Sequence, residues 1–409
     1  QQQYDNDVHF DGFIDYDNYD TPTNEDRRNV KTQISSSSLS NEQQQQQHSQ
    51  RRRLQTETTA PVNAPAYSPA SPVFTSAPNA QQPILPEDIQ IVKIELANNN
   101  LQGAFSKDLP LLTNLKVLNL SNNFLRGLVP VSISALTNLN GLYLFNNFFE
   151  GTFSTLDFSQ FTKLVQLDLS GNQFRGGIPT SLANLPELVD FAVRDNLLSG
   201  TIPPELSTIP KLARLIASGN NLQGTIPATD FFANAPQLIS IQLRDNDIEG
   251  QLPTEIGSLV NLEGLDLQNN KLTGELPTEI ASMDAIQFIG LTSNNFTGPL
   301  PAMNSNSNLL FLLLTENELT GSVGDSFPPS LQYLRLSNNK FDLASTFPSS
   351  LYDTSTIVDI RLENCDLIGN LTEGVANWPN LVTLHLGNNA MEGQLPNELV
   401  TLTKMTDLQ

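Results

Sequence analysis

Asp168, Asp190 and Asp266 are the residues whose type and placement invite an acid–base reading. A carboxylate pair hydrolyses a glycosidic bond when the two groups stand at a set separation across a sugar ring. These three fall on outward positions of separate predicted strands, so they read as ordinary solvated strand residues and not as a pair. His9, His48 and His385 are the only histidines, and Cys365 is the only cysteine. No Ser/His/Asp or Cys/His constellation can be assembled from them within the patterned part of the chain. The sequence has no G-x-x-x-x-G-K-S/T phrase, no zinc-type Cys/His spacing, no kinase Gly-rich loop and no H-R-D segment. Asp7, His9, Asp11, Gly12 and Asp15 fall at calcium-loop positions. His is a poor calcium ligand, however, and Asn18 stands where the closing Glu belongs. The expectation is a chain with no catalytic residue, no metal and no cofactor.

The elements that carry these residues are set by a repeat. The phrase L-x-x-L-x-L-x-x-N-x-L-x-G recurs thirteen times between about Ile91 and Gly393, mostly at a 24-residue step. One copy runs Leu115, Leu118, Leu120, Asn123, Leu125, Gly127, and another runs Leu262, Leu265, Leu267, Asn270, Leu272, Gly274. A fixed period of this length means a solenoid. The L-x-L pair has the period of a strand with one buried face. In Leu118-Asn119-Leu120 the leucines point inward and Asn119 outward. The turn after the strand leaves backbone N–H and C=O groups inside the coil, and buried backbone groups need partners. An Asn amide both donates and accepts, so a column of Asn can tie each turn to the next. Cys365 occupies one slot of that column and reads as a structural core thiol.

After the Gly, many turns continue with Ile/Leu-Pro, as in Ile178-Pro179, Ile202-Pro203, Ile226-Pro227, Leu252-Pro253, Leu276-Pro277 and Leu395-Pro396. Pro fixes φ and removes a donor, so these sites should be extended. Short helical or 3₁₀ turns should follow, as at Thr254–Leu259, with no long helices. The fold class is therefore an α/β solenoid, with a parallel sheet on the concave face and short turns on the convex face.

The full phrase L-x-x-L-x-L-x-x-N-x-L-x-G-x-I-P resembles the plant-type leucine-rich repeat of receptor-like kinases, receptor-like proteins and polygalacturonase inhibitors. The resemblance covers roughly three quarters of the chain. It implies a non-enzymatic recognition module that binds a protein, peptide or glycan on the concave surface, receptor-like or secreted. The alternatives are the ligand-sensing part of a receptor kinase whose kinase domain lies outside this sequence, or a soluble inhibitor of a cell-wall-degrading hydrolase. Secreted members usually carry Cys pairs in their caps, and a chain with one Cys can form no internal disulfide. The compartment implied is extracellular or cell surface, with cytoplasmic as the alternative.

Residues 1–86 are a different material. Gln1–Gln3, Ser35–Ser38, Gln43–Gln47 and Arg51–Arg53 give way to a Pro-, Ala-, Ser- and Thr-rich run from Thr58 to Pro86. With so little to bury, this part reads as a disordered arm and spacer before a repeat domain over 87–409. Arg51–Arg53 reads as a solvated run, or else as a processing or targeting site. The chain starts at Gln1 and ends at Gln409, inside a fourteenth repeat beginning near Leu402. An open solenoid end exposes stacked core, so the expectation is a C-terminal end continued or covered by something else.

The net charge of −22 argues against nucleic acid and against docking on anionic membrane as the main partnership. No stretch reaches the ~18 apolar residues of a membrane span. A preformed partner surface should lie where outward strand residues line up in columns. Phe288, Phe311, Leu313 and Tyr333 make an apolar patch over three turns, followed by Arg335 and Arg361, which is the composition of an interface centre. The competing reading packs this patch against a further segment or neighbour. Arg194, Arg214 and Arg244, interleaved with Asp190, Asp195 and Asp245, read as internal salt bridges first and an anion contact second. Tyr143 and Phe145 form a smaller aromatic spot that could stack on a sugar. Asn119, Asn295 and Asn370 begin N-x-S/T sequons, and a glycan on Asn119 would stand on the concave sheet.

Overall fold

The computed structural model describes residues 90–409 apart from 228–230, 233 and 344. The N-terminal arm, its calcium-like run and Arg51–Arg53 lie outside the described residues. Apart from the two-residue final strand, each turn begins with a three-residue strand whose middle residue packs on the core. In Val117–Asn119, Leu118 is fully buried while its two neighbours are half exposed. Strands of successive turns pair in parallel and in register, so Ile94, Leu118, Leu142 and Leu167 stand side by side. Among the described residues this gives a fourteen-stranded parallel sheet in chain order, from Lys93–Glu95 to Asp407–Leu408. Burying each leucine of such a column contributes about 1.5–3 kcal/mol. The same column fixes which residues face outward, because a one-residue slip would expose all of it.

The asparagine column closes the turns as its chemistry requires. Asn147 donates from Nδ2 to Leu120 O at 2.9 Å, Leu144 O at 3.1 Å and Phe145 O at 3.3 Å. Its Oδ1 accepts from Leu125 N at 3.0 Å. One buried amide thus ties its own turn to the preceding one, and the pattern repeats at Asn172, Asn220 and Asn270. Cys365 fills its slot in the core with weak 3.4 Å contacts from Sγ to Leu336 O and Glu363 O.

Ten short 3₁₀ turns, none longer than five residues, lie on the convex side among the described residues. Thr254–Ser258 is one of them, entered from an extended Pro253 with φ −73° and ψ 150°. That is the place and length the Pro spacing predicts. Between Thr278–Ser282 and Ser349–Asp353 no 3₁₀ turn forms among the described residues. Those turns are shorter, with spine residues at Asn294, Asn317 and Asn339, so their convex runs lack the length for one.

Two features were not expected. The x-L-x-G segment after each spine residue also forms strands, giving a nine-stranded sheet between Gln102–Gly103 and Asn295–Thr297 and a three-stranded one ending at Ala390–Met391. Its glycines sit at positive φ, and several lie close to the preceding turn. Gly250 has φ 84°, and a Cβ there would stand 2.8 Å from Thr225 Cγ2. The residue before each spine position also takes a left-handed conformation, as at Asn122 (φ 53°) and Asn269 (φ 53°). Asn and Asp tolerate that region better than most residues. At Asn98, Asn122 and Asn146 these side chains link in a second, outer ladder with 2.9 and 2.8 Å bonds.

Candidate ligand-binding face

Register brings the outward residues of the long sheet into columns. Phe288, Phe311, Tyr333 and Asp359 are direct neighbours across four strands. Two residues further along each strand, Gly290, Leu313, Arg335, Arg361 and His385 form the next column. The aromatic side chains make a ladder: Phe288 and Phe311 have ring centroids 5.8 Å apart, and Phe311 and Tyr333 stack at 4.5 Å within 8° of parallel.

The ladder is less exposed than its sequence suggests. Phe288 is fully buried and Leu313 is 2% exposed, while Phe311 and Tyr333 are half buried. The apolar patch therefore narrows to Phe311 and Tyr333. Gly290 explains part of this. The Phe288 ring lies across it, and a Cβ there would come within 2.7 Å of the ring. Phe288 thus works as the buried footing of the stack.

Arg335 and Arg361 do not project as separate positive groups. Both close on Asp359, which is 4% exposed. Arg335 Nη2 is 3.1 Å and Arg361 Nη2 3.0 Å from Asp359 Oδ2. The Nε of Arg335 adds a 3.3 Å bond to Oδ1, making that pair bidentate. A buried carboxylate held by two guanidiniums fixes their planes, which leaves them preorganised edges beside Tyr333. At the next turn His385 is buried between Glu363, 3.0 Å from Nδ1, and Asp407, 2.7 Å from Nε2.

The other columns carry ion pairs of their own. Arg214 Nε lies 2.6 Å from Asp190 Oδ1, Arg194 Nε 3.2 Å from Asp195 Oδ2 and Arg244 Nε 3.6 Å from Asp245 Oδ2. Internal salt bridging is the arrangement found. Tyr143 is 6% exposed, with its ring folded over Gly141 and its hydroxyl on Gln166 Oε1. Burial, then the charges of Asp190 and Asp168, push its phenol up to about 12. An open ring face for a sugar is therefore missing at Tyr143, and Phe145 beside it is half buried.

The three aspartates are not the solvated residues expected. Asp190 is 6% and Asp266 5% exposed, and Asp168 is half buried. Burial raises the Asp168 carboxyl above its ordinary range against the opposing bonds from Ser170. Burial likewise pushes Asp266 up to about 6, opposed by the Gln268 side chain and the charge of Arg244. Such buried acids arise because the concave columns pack side chain against side chain, which single-strand alternation does not reveal. Asn119 is locked on the concave floor, accepting from Ser121 Oγ at 2.7 Å and Ser121 N at 3.1 Å. Asn295 and Asn370 are exposed.

The Leucine Rich Repeat family model matches residues 114–136, 163–185, 261–283 and 330–353. The chain is built of leucine-rich repeats of the plant type, and its solenoid resembles plant receptor ectodomains. The plant peptide hormone receptor RGFR1, in complex with RGF2, matches at 26% identity with a TM-score of 0.69, over 77% of this chain and 54% of the receptor. The ectodomain of the plant membrane receptor kinase GASSHO1/SCHENGEN3 from Arabidopsis thaliana, in complex with Casparian strip integrity factor 2, matches at 28% and 0.53, over 76% and 43%. The LRR protein LIC12759 of Leptospira interrogans matches at 28% and 0.62, over 78% and 77%. The chain spans about half the length of the two plant proteins. No curated protein matches by sequence. The matching family is that of a repeat and indicates no catalysis.

Proposed function

We propose that this chain is a non-enzymatic recognition module that binds a protein or peptide on its concave sheet, at Phe311, Tyr333, Arg335 and Arg361, with Phe288 and Leu313 as footing. The observation that carries this is the half-buried Phe311–Tyr333 stack beside two guanidiniums fixed by Asp359. Aromatic and Arg side chains in rigid surroundings are what interface centres use, and a preformed surface loses little entropy on binding. A glycan is the weaker candidate, since the Tyr143 ring is covered. The likeness to a plant peptide hormone receptor solved with RGF2 and to a receptor kinase ectodomain solved with Casparian strip integrity factor 2 supports the same reading.

A receptor-like chain outside the cell or at its surface fits this function, and the ligand-sensing part of a receptor kinase is its most specific form. No helix among the described residues is long and apolar enough to cross a membrane. Exposed Asn295 and Asn370 are then the glycan sites, and Asn119 is not, which keeps the concave floor clear. Glycopeptide mapping after secretion from eukaryotic cells checks this, and a glycan on Asn119 would count against it.

The main test compares the full chain with its Phe311→Ala/Tyr333→Ala variant in selection from one random linear dodecapeptide library. Peptides enriched on the wild type should bind the variant at least about tenfold more weakly, while the variant, though less stable, remains folded at the assay temperature. Peptides that bind both equally place the site elsewhere and sink the reading.

A further inference from the structure

Charge beside the aromatic ladder has a sign, and we infer that the partner is a cationic segment anchored by an aromatic or long aliphatic side chain. This rests on the concave face around Phe311 and Tyr333 being the binding face. From Gly264–Asp266 to the final strand, the outward positions and rim carry five carboxylates, Asp266, Glu316, Asp359, Glu363 and Asp407. The same region carries two guanidiniums, Arg335 and Arg361. Carboxylates remain in excess even when His385 is charged.

The positive groups are also the committed ones. Both guanidiniums lean on Asp359, with side chains only 14% and 30% exposed. His385 faces Glu363 and Asp407. An anionic partner would have to compete with carboxylates already in place. The accessible charge is negative: Glu316 is exposed on the rim in the turn of Phe311, and the Asp407 side chain is 44% exposed. Glu316 uses Oε2 to accept from Ser293 Oγ at 2.7 Å and retains lone pairs for a donor from outside.

The remaining chemistry agrees. A cation is also attracted to the faces of Tyr and Phe rings. Between the ladder and the rim, Leu313 is sunk almost flush with the floor, and the half-buried residues beyond it are the short Thr292 and Thr315. An apolar anchor can therefore settle against Phe311 and Tyr333 while a Lys or Arg reaches Glu316. The chain as a whole, at −22, would draw such a partner in.

The dodecapeptide selection tests this by the composition of what it enriches. Peptides that need Phe311 and Tyr333 should carry net positive charge and at least one aromatic or long aliphatic residue. Their affinity should fall severalfold between about 50 and about 300 mM salt. Glu316→Gln should weaken them by about two- to fivefold, and Tyr333→Leu, which keeps an apolar contact, less than Tyr333→Ala. Ladder-dependent peptides that are neutral or acidic, or indifferent to salt and to Glu316→Gln, overturn the inference and leave the binding face standing. Peptides indifferent to the Phe311→Ala/Tyr333→Ala change overturn the binding face itself.

Discussion

Phe311 and Tyr333 stack face to face across adjacent parallel strands, their ring centroids 4.5 Å apart. Backbone register alone would allow many ring orientations at that separation. What limits them is the footing: Phe288 is packed flat over Gly290 on one side, and Asp359 draws the neighbouring guanidiniums together on the other. Stacked pairs contribute about 0.5–1.5 kcal/mol beyond the area they bury. A double-mutant cycle of Phe311→Ala and Tyr333→Ala, read by urea unfolding, should return a coupling of about that size. Strictly additive losses would mean that the two rings are neighbours without being partners.

Asp266 predicts a pH effect. Burial lifts its carboxyl to about 6, so the folded state holds a proton that the unfolded chain has released at the ordinary range near 3.8. The resulting stability is fully present below about pH 4 and is lost as pH rises through about 6. Asn keeps an oxygen that can accept from Gln268, as Asp266 Oδ1 does at 3.0 Å, but carries no charge. The stability of Asp266→Asn relative to wild type should therefore rise by about 2–3 kcal/mol between pH 4 and 7.5. Unfolding profiles that run parallel over this range would show that the carboxylate is well solvated after all.

Cys365 should be inert in the native chain. Burial, helped by the charge of Glu363, pushes its thiol up to about 12. The thiolate is the reactive species, and a rise of this size leaves about a thousandfold less of it at neutral pH than in a free thiol. Because Cys365 is the only cysteine, a thiol reagent gives a clean count. No label should enter under native conditions, and one equivalent should enter in denaturant. Rapid native labelling would place the sulfur at the surface.

Periodicity made the solenoid legible, because the leucines and the spine Asn are set by packing within one turn. Asn123 and Asn147 bond as that logic demands. The second sheet was not legible, since its short x-L-x-G strands look like turns until neighbouring copies align. The left-handed column has its own signal, namely the Asn, Asp or Gly before most spine positions. At the binding face the columns were readable and the exposure was not. Phe288 is buried by a ring laid over Gly290, and Arg335 and Arg361 by a carboxylate one column away. Both depend on side-chain direction across strands, which one sequence does not state.

The asparagine column predicts where the solenoid is most easily broken. Asn270 Nδ2 reaches Leu243 O at 3.0 Å, Leu267 O at 3.0 Å and Gln268 O at 3.2 Å, and its Oδ1 accepts from Ile248 N at 3.0 Å. Removing the amide leaves buried backbone groups without partners, each costing about 1–3 kcal/mol. Asn270→Ala should therefore destabilise by several kcal/mol, at the upper end for a single substitution. Asn270→Cys should cost less, because Cys365 shows a thiol making two of these contacts weakly in the same slot. Each turn contacts mainly its neighbours, so the loss should appear first as faster amide exchange in the turns of Leu243 and Leu267. Exchange that quickens evenly along the whole solenoid would mean that the column acts as one cooperative unit instead of a series of local ties.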